Sequence, residues 1–326
     1  MGESGMVNWV VVGIGDVTTK RVIPAIQVEP RSRLYGVVTR DLRKAAAYPE
    51  AKAWTTLEEA LADPEVRAVY VASPVSRHQE QAIQGLRTGR AVLLEKPVAM
   101  NYGEAVSITE AAEQTGTLLG IAYFRRLFPK LIRAKELLAA GAIGTPVLAE
   151  ACFHGWLESE ERAWLRDPAL AGGGPLYDTA SHRIDALNFI FGAPQWATGL
   201  RTNPVHRLGV DEAASISILY CGGVQAQIDV RWNSGVRRDE LRFTGTKGEI
   251  VLNDFNGPML RLTNEQGTQE ESLPSHPNVH YPLIENFVAA VLDGTAPVAT
   301  PRDAIQTDWV TEQVMQASPA LAEPQQ

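Results

Sequence analysis

The stretch that most constrains this chain is Asn8-Trp9-Val10-Val11-Val12-Gly13-Ile14-Gly15-Asp16-Val17-Thr18. An apolar run ending in three valines enters two glycines, and an amphipathic segment, Thr19 to Val28, follows. The order predicts strand, tight turn, helix. Gly13 leaves φ free for a sharp turn, and Gly15 brings the backbone near a pyrophosphate with no Cβ in the way. The unpaired N–H groups and positive dipole end of the next helix would face the phosphates. Thr18 stands where the dinucleotide fingerprint has its third glycine, so the motif needs support from elsewhere in the chain.

At 326 residues the chain has length for two domains, each with its own core. Thirty basic against 38 acidic residues leave a net charge of −8. An acidic chain with no basic block is a poor partner for nucleic acid or an anionic membrane. Cys152 and Cys221 form no C-x-x-C pair, which fits a reducing interior. The start Met1-Gly2-Glu3-Ser4-Gly5 has no basic or apolar leader pattern, and no apolar run approaches membrane-spanning length. These features predict a cytoplasmic protein.

Short apolar runs alternate with helical patterns up to about residue 123. Arg33 to Val38, Ala68 to Ala72, Ala91 to Leu94 and Leu118 to Tyr123 read as strands. The nearly continuous apolar character of Ala68 to Ala72 suits a strand covered on both faces. Asp41 to Tyr48, Thr56 to Leu61, Gln79 to Arg87 and Tyr102 to Thr115 read as helices, with capping-box spacing at Thr56–Glu59. This alternation predicts a doubly wound parallel sheet over residues 1–123. The pattern then changes. A helix over Pro129 to Ala140, a strand over Thr145 to Phe153 and a helix over Asp178 to Phe191 precede several successive strands between Trp196 and Leu262. Helices return at Tyr281–Leu292 and Pro301–Ala317. The prediction is an α/β chain: residues 124–318 form an α+β domain with an open, mostly antiparallel sheet, and 319–326 form a disordered tail.

Two groups of residues carry chemistry. Glu95-Lys96-Pro97 follows the buried strand Ala91–Leu94, and ligands of open parallel sheets lie beyond the carboxyl ends of the strands. Asp178, His182 and Asp185, spaced i, i+4 and i+7, share one face of a helix. Gly172-Gly173-Gly174 precedes that helix and would let its first turn approach a ligand. A carboxylate one turn from an imidazole fixes its tautomer and tunes its pKa. Asp178 as a cap and His182 as a packed side chain is the alternative reading. His276 and His280 are four apart, but Pro277 discourages the helix that would converge them on a metal, so no metal site is expected. The absence of G-x-S-x-G argues against a serine hydrolase.

These residues resemble the glucose–fructose oxidoreductase, inositol dehydrogenase and rhizopine-catabolism family over nearly the whole length. Gly13 to Thr18, Ser73-Pro74 to His78, Glu95-Lys96-Pro97, Gly172 through Asp185, Gly245 to Ile250 and Pro282 to Phe287 follow its motifs in order. Val75 replaces a usual asparagine, and Ala180 a common glycine. The resemblance implies hydride transfer between nicotinamide and a hydroxyl or carbonyl carbon of a sugar, ketosugar or cyclitol. Lys96 would stabilise the reacting oxygen, His182 would exchange its proton, and Asp178 would orient both. Gly13, Ile14, Gly15, Asp16, Val17, Ser73, Pro74, His78, Glu95 and Lys96 would hold the cofactor. Tyr123, Arg125, Arg126, Trp164, Arg166 and Tyr177 would line the sugar site. The resemblance also implies a cis Lys96–Pro97 bond and a homodimer or homotetramer, formed through a large apolar face of the open sheet. Two alternatives remain within it: a non-catalytic NAD(P)-binding regulator, and a glycoside-cleaving relative that oxidises a sugar transiently.

Cofactor choice is read at the end of the second strand. NAD sites place an acid there, about twenty residues past the glycine turn, on the ribose 2′-hydroxyl. Here Thr39-Arg40-Asp41 occupies that end, with the acid one or two places late and suited to capping a helix. Thr39 can donate to a 2′-phosphate and Arg40 can pair with it and stack on adenine. NADP is therefore expected, with NAD as the alternative if Asp41 reaches the ribose.

Overall fold

The computed structural model describes residues 5–157 and 163–323, and the chain divides into two compact units. The first joins Met1–Phe124 with His276–Ile305. Its strands are β1 (Val7–Val12), β2 (Ser32–Val38), β3 (Lys52–Trp54), β4 (Ala68–Val71), β5 (Ala91–Leu94) and β6 (Leu119–Ile121). They pair in parallel in the order β3-β2-β1-β4-β5-β6. Every residue of β4 and β5 is buried, as their apolar composition requires in a sheet covered on both faces. The strand order reverses between β1 and β4, and that switch point is where such sheets bind ligands.

The sequence break near 123 accounts for one of three passages of the chain between the units, the others lying at 275/276 and 305/306. The helix Tyr281–Asp293 buries Leu283, Ile284, Phe287, Val288 and Ala290. Phe287 packs on Trp9, ring centroids 5.5 Å apart, and fills the space over Gly120, where a Cβ would lie 2.9 Å from its ring. Ile121 N–H donates to the carbonyl of Ala299 (3.1 Å), and Ala299, Ala304 and Ile305 belong to the first unit's core. An apolar helix face distant in sequence thus completes the first core, an arrangement invisible to a left-to-right reading.

The second unit, Arg125–Ser275 with Gln306–Gln326, contains an eight-stranded sheet. It consists of β7 (Pro146–Trp156), β8 (Pro194–Thr202), β9 (Ala213–Tyr220), β10 (Gln225–Arg231), β11 (Asn233–Gly245), β12 (Gly248–Asn253), β13 (Met259–Asn264) and β14 (Gly267–Ser272). The order is β14-β13-β12-β11-β7-β10-β9-β8, with β7 and β10 parallel and the other neighbours antiparallel. One face packs on the helix Ser181–Phe191: Tyr220 donates to Asn188 Oδ1 at 2.7 Å, and Arg183 reaches the carbonyl of Cys152.

The opposite face departs from the expectation of a large apolar surface. Cross-strand register places Thr198, Ser215, Ser217, Gln227, Asp229, Arg231, Glu150, Arg242 and Glu249 side by side on it. These groups satisfy one another across the strands: Ser217 donates to Gln227 (2.9 Å), Ser215 and Arg231 to Asp229 (2.7 and 2.6 Å), and Arg242 to Glu249 (2.7 Å). His154 Nε2 lies 2.7 Å from the same Asp229 carboxylate. Trp196 and Leu200 of β8 add exposed apolar side chains to this face, and Leu148 and Leu219 half-buried ones. Polar residues at period two need no apolar cover.

The tail also differs from expectation. Asn203 exchanges two hydrogen bonds with Ala322 (2.8 and 2.9 Å), tying the chain to the second unit close to its end. Residues 1–4 and 324–326, on which the leader and tail readings partly rest, lie outside the described residues. Among the described residues no helix is long and apolar enough to cross a membrane, and no cluster of metal-ligating side chains is present.

Candidate active site

The turn after β1 is built as its residues dictate. Gly13 adopts φ +92°, and a Cβ there would lie 2.8 Å from the carbonyl of Ala72, so glycine is required twice over. Gly13 N–H donates to Val38 O, and Ala72 N–H to Val12 O, locking the turn across β1, β2 and β4. At Gly15 a Cβ would meet no protein atom within 4 Å, leaving the approach to its backbone open. Thr18 takes over from the missing third glycine. Its buried hydroxyl accepts Gly15 N–H (2.8 Å) and reaches back to Gly13 O (3.0 Å), closing the loop into the π-helical turn Thr18–Val22. Ile14 presents its carbonyl to Lys44 Nζ (3.4 Å), Val17 is half-buried, and exposed Asp16 pairs with Lys20. These groups fit a dinucleotide phosphate: open backbone at Gly15, and no protein side chain filling the space.

At the end of β2, Thr39 is buried and Arg40 exposed. Asp41 is committed elsewhere. Its carboxylate accepts Arg43 N–H (3.1 Å) as the cap of helix Leu42–Ala45 and takes a two-pronged bond from the Arg43 guanidinium (2.8 and 3.0 Å). The Arg43 guanidinium, more than the cap, holds the Asp41 carboxyl below the usual carboxylate range.

The ends of β4 and β5 are tied together by buried side chains. His78 Nδ1 lies 3.0 Å from Pro97 O, and its Nε2 lies 3.0 Å from Ser73 O. A neutral imidazole donates through one nitrogen only. Burial favours that neutral form and lowers the His78 pKa, against the pull of the two carbonyls and Glu95. His78 therefore clasps the main chain at the ends of β4 and β5. Ser73 Oγ donates to Gln81 (2.6 Å), and Pro74 starts the short 3-10 turn Val75–Arg77. The Lys96–Pro97 peptide is cis. Glu95 is buried; its Oε1 accepts Tyr70 O–H (2.6 Å) and its Oε2 accepts Lys96 N–H (3.1 Å). Burial pushes the Glu95 carboxyl up, but His280, Tyr70 and Lys96 outweigh it and hold the group below its usual range. Lys96 is half-buried directly after this anchor, and Tyr123 is fully buried beyond β6.

In the second unit the glycine-rich loop packs against the protein itself. A Cβ on Gly172 or Gly173 would strike the Tyr177 ring (2.6 and 2.5 Å), and one on Gly174 would lie 1.9 Å from Asp211 O. Tyr177 is accordingly buried under these glycines, and burial raises its pKa. Asp211, fully buried, accepts Gly174 N–H and Leu176 N–H at 2.9 Å each. That cap starts the π-helical turn Leu176–Ala180, which carries Asp178 and leads into the helix bearing His182. Asp178 is half-buried and His182 is buried.

Asp185, the third residue of the predicted face, serves a different purpose. Its carboxylate takes Arg126 Nε and Nη2 (3.0 and 2.6 Å) with both residues buried, so Arg126 and Asp185 form an internal ion pair. Beside it, Arg183 donates to Asp239 (2.5 Å) and Thr179 O (3.0 Å). Arg125 donates to Asn256 Oδ1 (2.9 Å). Burial and the like charge of Arg183 push Arg125 down to about 9, while Asp239, Asp178 and Asp185 pull it back. A guanidinium stays protonated nonetheless, so Asp178 sits in the field of two cations, half-buried Arg125 and buried Arg183. Trp164 and Arg166 occupy the turn Ala163–Arg166, the tryptophan exposed and the arginine half-buried. Sequence spacing had no signal for Asp211 or Asp239, because Gly174 and Leu176 lie 37 and 35 residues from the first and Arg183 lies 56 from the second.

A parallel sheet with a glycine turn at its switch point, followed by a second unit built on an open mixed sheet, defines a two-domain dinucleotide-binding α/β protein. Residues 7–123 match the oxidoreductase family model with an NAD-binding Rossmann fold, and residues 131–251 match the GFO/IDH/MocA C-terminal domain. The chain belongs to the GFO/IDH/MocA oxidoreductase family, and its first unit carries an NAD(P)-binding Rossmann fold. It is 26% identical to the 1,5-anhydro-D-fructose reductase of Ensifer adhaerens, covering 92% of each chain. It is 30% identical to the trans-1,2-dihydrobenzene-1,2-diol dehydrogenase of Mus musculus, over 74% of this chain and 72% of that one. Among solved structures it resembles GenD2 from gentamicin A biosynthesis in complex with NAD (28% identity, TM-score 0.83, 96% and 94% of the chains). The aldose-aldose oxidoreductase of Caulobacter crescentus, complexed with glycerol, shares the fold at 22% identity (TM-score 0.87, 96% and 97% of the chains).

Proposed function

We propose that this protein oxidises or reduces a hydroxyl or carbonyl carbon of a sugar, ketosugar or cyclitol with NADP(H). The observation that carries the reading is Lys96, placed at the carboxyl end of β5 with its main chain pinned by the buried Glu95. A sugar-like substrate is supported by relatives named for anhydrofructose, aldoses and a dihydrodiol, which share carbon-bound hydroxyl or carbonyl groups. When bound, the nicotinamide supplies or accepts the hydride. Lys96 donates to the reacting oxygen and stabilises negative charge developing on it. His182 gives or takes the proton, and Asp178, held by the capped turn, orients substrate and imidazole.

NADP is preferred over NAD in this reading because Asp41 is already spent on its cap and on Arg43. Exposed Arg40 makes no hydrogen bond or ion pair among the described residues and is available to a 2′-phosphate. Thr39, its hydroxyl beside Asp41 (3.2 Å), adds a donor at the same end of the strand. Homo-oligomerisation and a cytoplasmic location belong to the same proposal, the latter supported by two cysteines that form no disulfide.

A panel of sugars, ketosugars and cyclitols, followed by nicotinamide absorbance, tests the assignment. Net cofactor turnover is expected; cofactor binding without turnover on any of them would favour a regulator. On the substrate so found, Lys96→Ala should lose about two to three orders of kcat, as for one oxyanion donor. His182→Ala should lose on the order of 10²–10⁴. Near wild-type turnover in both would refute the site.

A further inference from the structure

His280 immediately precedes the helix Tyr281–Asp293, in the segment that returns to the first unit. Its side chain is 4% exposed, yet neither ring nitrogen has a hydrogen-bond partner. A buried imidazole left this way is costly, because a desolvated polar group with no partner forfeits its hydration. The ring lies on Phe124, centroids 4.5 Å apart, and its Nε2 stands 3.7 Å from Glu95 Oε1. That distance is an ion-pair contact, a few tenths of an ångström beyond a hydrogen bond. The same carboxylate already holds Tyr70 O–H and Lys96 N–H. The titratable groups gathered at it are therefore Tyr70 from β4, His78 from the next helix, Lys96 from its own loop and His280. Because Glu95 and Lys96 are adjacent, any shift or change of charge at the carboxylate is felt at the lysine.

We infer that His280 is a further positioning residue of the reaction, acting through Glu95 to hold the Lys96 main chain and balance the charge beside it. The inference rests on the role proposed for Lys96. Phe124 and Glu95 bracket the ring, so a residue of similar shape without polar atoms separates packing from polar function. His280→Phe keeps the stack on Phe124 and removes the contact to Glu95. Thermal stability of H280F is expected to equal or exceed that of the wild type.

Competitive acetylation with acetic anhydride, read by peptide mass spectrometry, should show Lys96 reactivity changed about threefold or more with other lysines unmoved. On a substrate from the panel, kcat should fall about 10- to 100-fold, the range for a slightly misplaced reacting group. The KM for NADPH should change about twofold or less. In an E95Q background H280F should add little, since both substitutions break one contact. Wild-type labelling of Lys96 in H280F, or losses that multiply with E95Q, would overturn the inference. If H280F does not fold, His280→Ala gives the same two readings: altered Lys96 labelling supports the inference and wild-type labelling overturns it. Failure of the wild type on every sugar counts against the proposed function, and the labelling experiment still decides the role of His280.

Discussion

Replacing Asp211 tests how far the site depends on a residue that touches none of the chemistry. Its carboxylate is fully buried, and each oxygen accepts one main-chain N–H, from Gly174 and Leu176, at 2.9 Å. Asp211→Ala removes both acceptors and leaves two buried donors. Each unsatisfied donor costs about 1–3 kcal/mol, so the loss should be about 2–6 kcal/mol, with water entering the vacated space favouring the lower half. Asp211→Asn retains one acceptor but turns an amide N–H₂ toward the other donor, for a loss of about 1–3 kcal/mol. Burial raises the Asp211 pKa, the two N–H groups opposing it. An acid with a raised folded-state pKa contributes stability that is fully present below its unfolded value and declines as pH rises through the folded one. Both variants should therefore lose this pH-dependent part of the stability curve. Urea unfolding followed by tryptophan fluorescence, from pH 3 to 8, roughly bracketing the carboxylate range, measures both effects. The turn Leu176–Ala180 carries Asp178, so kcat should fall with stability. A D211A midpoint equivalent to less than about 0.5 kcal/mol, the scatter of ordinary surface changes, would refute the capping argument.

Arg40→Ala should lower kcat/KM for NADP(H) about tenfold, the low end for a charge-assisted bond at an exposed site, and leave NAD(H) nearly unchanged. Equal or better kcat/KM with NAD(H) in the unmodified protein would show that the 2′-phosphate is not recognised. Arg126→Met strands Asp185 as a buried charge and should destabilise the protein by about 3–5 kcal/mol; a stable variant with a raised substrate KM would instead return Arg126 to the sugar site. Lys130 is fully buried, donates to Asp254 O (2.6 Å), and is pushed by burial down to about 8. Between about 8 and the ordinary lysine value of 10.5 the unfolded chain binds the proton more strongly, so stability should rise with pH across that window. Lys130→Met should flatten the rise, and an unchanged slope in chemical denaturation would contradict it.

The sequence alone determined the first sheet and the catalytic candidates at its edge. Apolar runs such as Ala91–Leu94 leave little choice but a doubly covered strand, and Gly13 permits a backbone that a side chain would obstruct. Thr56, Asp41 and the motif Glu95-Lys96-Pro97 were legible for the same reason: caps and strand ends are set by neighbours within a few residues. What only the tertiary structure decided are pairings between distant segments. Spacing placed Asp185 beside Asp178 and His182, but Arg126, 59 residues away, took it into an ion pair. Three successive glycines suggested room for a ligand, and the room is filled by Tyr177 and Asp211. His276 and His280 read as loop histidines, whereas the return of the helix Tyr281–Asp293 onto Trp9 and Gly120 brings His280 to Glu95. Local pattern encodes which backbone a segment adopts. Which buried charge meets which partner depends on a closed core, whose desolvation makes every unpaired group costly and so selects the pairs.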